Sequence, residues 1–144
     1  MAGKIPGRIL GIDYGSVRIG LALSDPLGLI AQPLAVLRRK NDRLLVEELV
    51  KLVQEKDVKS IVCGLPRHMS GEQGQEAERV LAFSELLQQA LPEVEVASWD
   101  ERLTTVQSER VLIDSGMTRQ KRKQHIDKVA ATIILQNYLD FLNQ

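Results

Sequence analysis

Acidic residues recur at three points of the chain where the local pattern argues for burial. Asp13 lies in GIDYGSVRIGLALSD, directly after the apolar, strand-like run Ile9 to Ile12. A buried carboxylate is costly unless an opposite charge, hydrogen bonds or a metal ion compensates it. Gly11, Gly15 and Gly20 leave little side-chain cover around it and let a backbone or ligand come close. The plainer role is a turn residue that opens a hairpin beside glycine. The second point is DERLTT, Asp100 to Thr105, just after a strand ending at Trp99, and α/β sheets gather their sites at the carboxyl ends of such strands. Alternation puts Asp100 and Glu101 on opposite faces without saying which of them faces Asp13. The same acids also suit a helix start, with Thr104 or Thr105 capping. The third is Asp127 in HIDKVAATIILQNYLD, which shares a helical stripe with Ala130, Ala131 and Ile134. That stripe is apolar, and its alanines let the helix lie close to a sheet, whereas a first-turn aspartate would only answer the helix dipole. Three acids on separate elements, able to face one point, make a cage for a hard cation. Carboxylates suit Mg²⁺ or Mn²⁺, and the chain has no Cys/His cluster of the kind zinc favours. Such a cage polarises phosphate and activates water for in-line displacement.

Two further stretches bear on a phosphate-bearing partner. GLPRHMSGEQG, Gly64 to Gly74, is a glycine-bearing loop between a buried strand and a helix N-terminus. It can cradle phosphate, but it lacks the GK[ST] of a Walker A loop and serves equally as a solvent loop. Arg119, Lys121, Arg122 and Lys123 form a dense basic run, directly before Asp127. Runs of charge usually mark a solvated surface; beside a carboxylate cage this one would suit a polyanion. The cations expected to contact such a substrate are Arg67, Arg102, Arg119, Arg122 and Lys123. Aromatic residues make up only 3% of the chain, which favours recognition of backbone and shape over base stacking.

The elements that must position these groups follow from periodicity. Arg8 to Tyr14 and Val17 to Ser24 read as strands joined by a tight Gly15-Ser16 hairpin, and a third strand is expected around Leu34 to Leu37. Asn41-Asp42 offers an N-cap for a helix carrying Leu45, Leu49, Leu52 and Val53, ending near Lys56. Ile61 to Cys63 is a continuous apolar run suited to a strand buried on both faces. A helix with Ala77, Val80, Leu81, Leu87 and Leu91 stops at Pro92, and a strand from Val94 to Trp99 follows. Helices are expected from about Thr104 to Asp114 and from about His125 to Leu142, with SGMTRQKRKQ irregular between them. The order predicts an α/β fold: a mixed five-stranded sheet, strands 1–3 antiparallel and hairpin-linked, strands 4–5 parallel through right-handed crossovers, with helices on both faces.

At 144 residues the chain fits one domain spanning 1–144. Hydrophobic residues are 44% and charged residues 26%, the balance of a soluble globular protein. The apolar runs are too short to span a bilayer and MAGKIPGR lacks a signal-peptide core, so a cytoplasmic location without membrane association is expected. The lone Cys63 excludes an internal disulfide. With net charge zero, nucleic acid would have to bind at a local basic patch.

The motifs GIDYGSVRIGLALSD, GLPRHMSGEQG, DERLTT and DKVAATIILQNYL, at residues 11–25, 64–74, 100–105 and 127–139, together resemble the YqgF/RuvX family of the RNase H-like superfamily. Four motifs in order over nearly the whole chain make the resemblance specific. It implies an RNase H-like fold and a two-metal nuclease site, with Asp13, Glu101 and Asp127 as the catalytic and metal-binding acids. Spacing leaves open whether Asp100 or Asp25 assists. The family is described as a nuclease maturing the 5′ end of pre-16S rRNA, and formerly as a Holliday junction resolvase. Structured RNA is the expected substrate and branched DNA the alternative, because a resolvase must make two symmetric cuts as a dimer. With no heptad or long apolar stripe left over, a monomer or weak homodimer is expected. Asp13-Tyr14-Gly15-Ser16 also resembles the phosphate hairpin of actin-like and sugar-kinase ATPases, but those proteins close a cleft between two such domains. A catalytically silent nucleic-acid or nucleotide-binding module is the remaining alternative, against which the three acids argue.

Overall fold

The computed structural model describes residues 7–66, 74–103 and 119–144, with side chains of the last helix from residue 129 onward. Alternating and apolar runs pair as their patterns require. Strands β1 (Arg8–Tyr14), β2 (Arg18–Ser24) and β3 (Ala31–Arg38) form an antiparallel meander. β1 then pairs in parallel with β4 (Val58–Leu65), and β4 with β5 (Glu95–Asp100). The strand order is β3-β2-β1-β4-β5, so β1 is central between β2 and β4, and the carboxyl ends of β1, β4 and β5 share one end of the sheet.

β3 is longer than the Leu34 to Leu37 expected from its apolar core, and Pro33 lies inside it. Proline is tolerated because β3 is an edge strand and the register shifts there, Leu21 pairing with Ala35 and Ala22 with Pro33. Helix α1 (Asp42–Glu55) starts where the sequence placed its cap, with Asn41 Oδ1 accepting the Leu44 N–H at 2.9 Å. Helix α2 is Gln75–Ala90. Helix α3 runs Arg119–Leu142 and so begins well before the expected His125. RQKRKQ has no apolar periodicity, which hid it, but Arg, Lys and Gln are all strong helix formers. The helix expected over 104–114 and the loop 67–73 lie outside the described residues.

The sheet carries a core on each face. On one, Leu10, Ile12, Leu21, Ile61 and Cys63 pack with Leu45, Leu49 and Val53 of α1 and with Val80, Phe83 and Leu87 of α2. On the other, Ile9, Ala22 and Val62 pack against Ala130, Ala131, Ile134, Leu135, Tyr138 and Leu139 of α3. The expected helices on both faces are present. α3 seats closely because β1 presents glycine beneath it: a Cβ on Gly11 would lie 2.7 Å from Leu135 Cβ and 3.2 Å from the Ala131 carbonyl oxygen. At its other end Asn143 Nδ2 donates to the carbonyl of Gly28, in the β2–β3 turn, at 3.0 Å. With Leu135 over Gly11 and Asn143 at that turn, α3 runs antiparallel to β1. Its N-terminal half points toward the carboxyl end of β1, where Asp13 lies. Among the described residues no helix is long and apolar enough to cross a membrane.

Candidate active site

Pleat alternation decides which acids meet. Ile9 and Gly11 face α3, so Asp13 does too, and it is buried at 7% exposure. On β5, Ala97 and Trp99 pack with the α3 core, so Glu101, two residues beyond Trp99, returns to the same face. Glu101 is likewise buried at 7% and opens a short 3₁₀ turn, Glu101–Leu103. Between the two strands stands Gly64 of β4. Ile12 pairs with Cys63 and Trp99 with Gly64, and continuing the first register sets Asp13 beside Gly64. A Cβ on Gly64 would lie 3.2 Å from Glu101 Oε2 and 2.5 Å from Ile134 Cδ1. The Glu101 carboxylate therefore reaches over a strand position with no side chain, toward Asp13 one strand spacing away.

Both carboxylates line one pocket of about 280 Å³ at the carboxyl ends of β1, β4 and β5. Tyr14, Gly15 and Ser16 form its hairpin wall, Pro66 its β4 rim, and Glu76 and Arg79 of α2 its far side. The hairpin is braced from behind. The Tyr14 hydroxyl donates to Asp42 Oδ1 at 2.7 Å, Arg39 Nε donates to the same oxygen at 2.8 Å, and the Arg39 backbone N–H donates to the Val17 carbonyl at 2.8 Å. Burial first, then the hydrogen bond to Asp42, holds the Tyr14 phenol above its ordinary pKa. It remains a neutral donor across the physiological range.

The two other acids left open by spacing each hold a local turn. Asp100 accepts the Arg102 backbone N–H at 2.9 Å and is gripped by its guanidinium, Nη2 to Oδ2 at 2.7 Å and Nε to both oxygens at 3.1 and 3.2 Å. Arg102 thus folds back on its own turn. Asp25 accepts backbone N–H groups from Leu27, Leu29 and Ile30 at 3.2, 2.7 and 2.8 Å. It organises the β2–β3 turn at the far end of the sheet from Asp13. The backbone of α3 brings Asp127 toward the pocket end, one helical turn before Ala131. Its side chain and those of Arg119, Arg122 and Lys123 lie outside the described residues, as does all of Arg67. Among the described residues no three His, Cys, Asp or Glu side chains group closely enough to hold a metal ion; Asp13 and Glu101 make a pair.

A family model described as "RuvX: Holliday junction resolvase" matches residues 7–141. The chain belongs to the RuvX family. A relative from Clostridium acetobutylicum, named "Putative pre-16S rRNA nuclease", is 50% identical over 133 residues, covering 92% of this chain and 98% of that one. One from Clostridium botulinum with the same name is 47% identical over 137 residues, covering 95% and 99%. The fold resembles that of Thermus thermophilus RuvC in complex with a Holliday junction substrate, with TM-score 0.59, 12% identity and coverage of 94% of both chains. It also resembles the yeast mitochondrial Holliday junction resolvase, with TM-score 0.61, 13% identity and coverage of 99% and 82%.

The donor chemistry of this RuvX pocket fits a hard divalent cation. Among the described residues lining it, the two buried side chains are carboxylates and none is a thiol or imidazole. Sequence reasoning missed Glu76 and Arg79. Both are exposed on α2, whose buried positions are Ala77, Val80, Phe83 and Leu87, so by periodicity they look like ordinary solvated helix residues. The available signal was their place in the first two turns of a helix that starts from the glycine loop at the carboxyl end of β4.

Proposed function

We propose that this RuvX chain is an endonuclease dependent on a divalent cation, and that it matures the 5′ end of pre-16S rRNA. The observation that carries the chemistry is the pair of buried carboxylates, Asp13 and Glu101, opening on one polar pocket. The substrate rests on the names of the clostridial relatives. Asp13 and Glu101 would hold Mg²⁺ or Mn²⁺, with Asp127 as the third acid. When bound, such a cation neutralises charge developing on the phosphate and lowers the pKa of a water until it is a nucleophile at neutral pH. The rest falls to the chain. Burial restricts both carboxylates to few rotamers, and the bare Cα of Gly64 keeps the space between them clear. The braced hairpin at Tyr14 to Ser16 fixes the pocket mouth, so that a scissile linkage meets the acids in one orientation. Arg67, Arg119, Arg122 and Lys123 supply charge for the flanking backbone; Arg119, Lys123 and Asp127 recur at four-residue intervals on α3. Arg102 reaches a phosphate only by leaving Asp100. The chain 1–144 works as one RNase H-like nuclease domain, a monomer or weak homodimer, in the cytoplasm where precursor rRNA is made.

A second reading, cleavage of branched DNA, is favoured by the family description. One preparation tested side by side on a 5′-extended 16S precursor transcript and a four-way DNA junction separates the two. Cation-dependent cutting of the transcript supports the RNA reading. Symmetric cutting of the junction with the transcript left intact overturns it.

A further inference from the structure

We propose that Arg79 is the pocket's phosphate-binding cation and a further catalytic residue of this site, its guanidinium meeting the scissile phosphate opposite Asp13 and Glu101. The inference rests on the nuclease reading above. Among the described side chains lining the pocket, Arg79 is the one cation, set against the carboxylates of Asp13, Glu101 and Glu76. An anionic phosphodiester entering such a pocket meets repulsion from the three described carboxylates there. Two other described arginines are already committed, Arg39 to Asp42 at 2.8 Å and Arg102 to Asp100 at 2.7 Å. Among the described residues, Arg79 takes part in no ion pair or side-chain hydrogen bond, so its donors are available to a ligand. Its position is set by the fold. Ala77 and Val80 bury themselves on either side of it in sequence, which turns Arg79 away from the core, while α2 begins at the same end of the sheet where β1, β4 and β5 finish. The guanidinium is also the right chemistry: a planar fork of N–H donors binds two phosphate oxygens at once, where an ammonium offers only a point charge. On this placement the scissile phosphate lies between the carboxylate wall and α2, and Arg79 stabilises charge that grows on its non-bridging oxygens as the bond to the leaving oxygen breaks.

The test compares wild type, Arg79→Gln, Arg79→Lys and a remote control with the same loss of charge, Lys51→Gln on the exposed side of α1. Single-turnover cleavage of a 5′-extended 16S precursor RNA is measured in Mg²⁺. Binding of the same RNA is measured between 50 and 200 mM salt in the Asp13→Asn background. Arg79→Gln should slow cleavage at saturating protein by about 10²-fold, the scale for removing one transition-state donor. It should also reduce the salt slope by about one phosphate contact. Arg79→Lys should keep the slope but recover only part of the rate, and Lys51→Gln should match wild type. Arg79 is exposed, so thermal melts of the variants should coincide. A wild type that cuts while Arg79→Gln cuts equally fast overturns the assignment and leaves the nuclease reading standing. A wild type that leaves both this RNA and a four-way DNA junction uncut, in Mg²⁺ and in Mn²⁺, overturns the nuclease reading and the Arg79 role with it.

Discussion

Gly64 is the residue on which the two carboxylates depend without its having any chemistry of its own. A methyl group there would meet Ile134 Cδ1 at 2.5 Å and Glu101 Oε2 at 3.2 Å. Ile134 is fully buried and can give way only by leaving its rotamer. Gly64→Ala should therefore cost about 1–3 kcal/mol of stability, the usual range for overpacking, and shift the Glu101 carboxylate enough to slow cleavage about tenfold. Adding Ile134→Val removes the Cδ1 that clashes. The double variant should recover most of the stability in a denaturant titration while its cleavage rate stays low. Recovery of both together would mean that Gly64 matters for packing alone. At this scale the sequence was legible in part. Asp13 stood out as an acid in an apolar strand, but Asp100 and Glu101 could not be told apart by alternation. What separates them shows only in the folded chain: Asp100 is gripped by Arg102 of its own turn, while Glu101 reaches over Gly64 of the neighbouring strand.

At the scale of elements, the β2–β3 turn and α3 make contrasting cases. Three backbone N–H groups converge on the Asp25 carboxylate, and those from Ile30, Leu29 and Leu27 hold its pKa below the ordinary aspartate value. Gly28, at φ 70°, allows the chain to close around it. Because the folded-state pKa is depressed, the stabilisation is present above the unfolded value of about 3.9 and is lost as pH falls through the folded one. Asp25→Ala should lower stability by about 1–2 kcal/mol at pH 7, and the gap from wild type should close below about pH 4. A gap independent of pH would mean that the carboxylate charge is irrelevant to the turn. α3 shows why its first turns were unreadable: apolar spacing marks a helix only where the helix packs, and RQKRKQ precedes the packed stretch. Alanine is an even better helix former, so Arg122→Ala/Lys123→Ala should keep its helical circular dichroism. It should bind precursor RNA more weakly, with the salt slope reduced by up to about two contacts. An unchanged slope would return these residues to a solvated surface.

At the scale of the whole fold, the described residues form a sheet with an apolar core on each face and the candidate site at one end. The succession of elements, strand direction and the helices on both faces were legible because β1, β2 and β4 are rich in branched apolar residues and the connections leave few topologies. The far wall of the pocket was not, since Glu76 and Arg79 join it only when α2 packs onto the sheet. Cys63 reports on the integrity of this assembly. It lies fully buried in the inner strand β4, and burial pushes its thiol up to about 11. A thiol reagent at pH 8 should label the native protein at least about 10³-fold more slowly than the unfolded chain, at a rate that follows global unfolding. Rapid native labelling would mean that β4 is accessible without it. The proposal on which the function rests is that Asp13 and Glu101 form one hydrolytic site that works through a divalent cation. Its most direct test is the single-turnover rate on 5′-extended 16S precursor RNA for wild type, Asp13→Asn and Glu101→Gln, each with Mg²⁺ and with EDTA. Cutting should occur only in wild type with Mg²⁺, each variant losing at least about 10²-fold in rate while its thermal unfolding stays cooperative. Full cutting in EDTA, or by folded Asp13→Asn, would contradict the account.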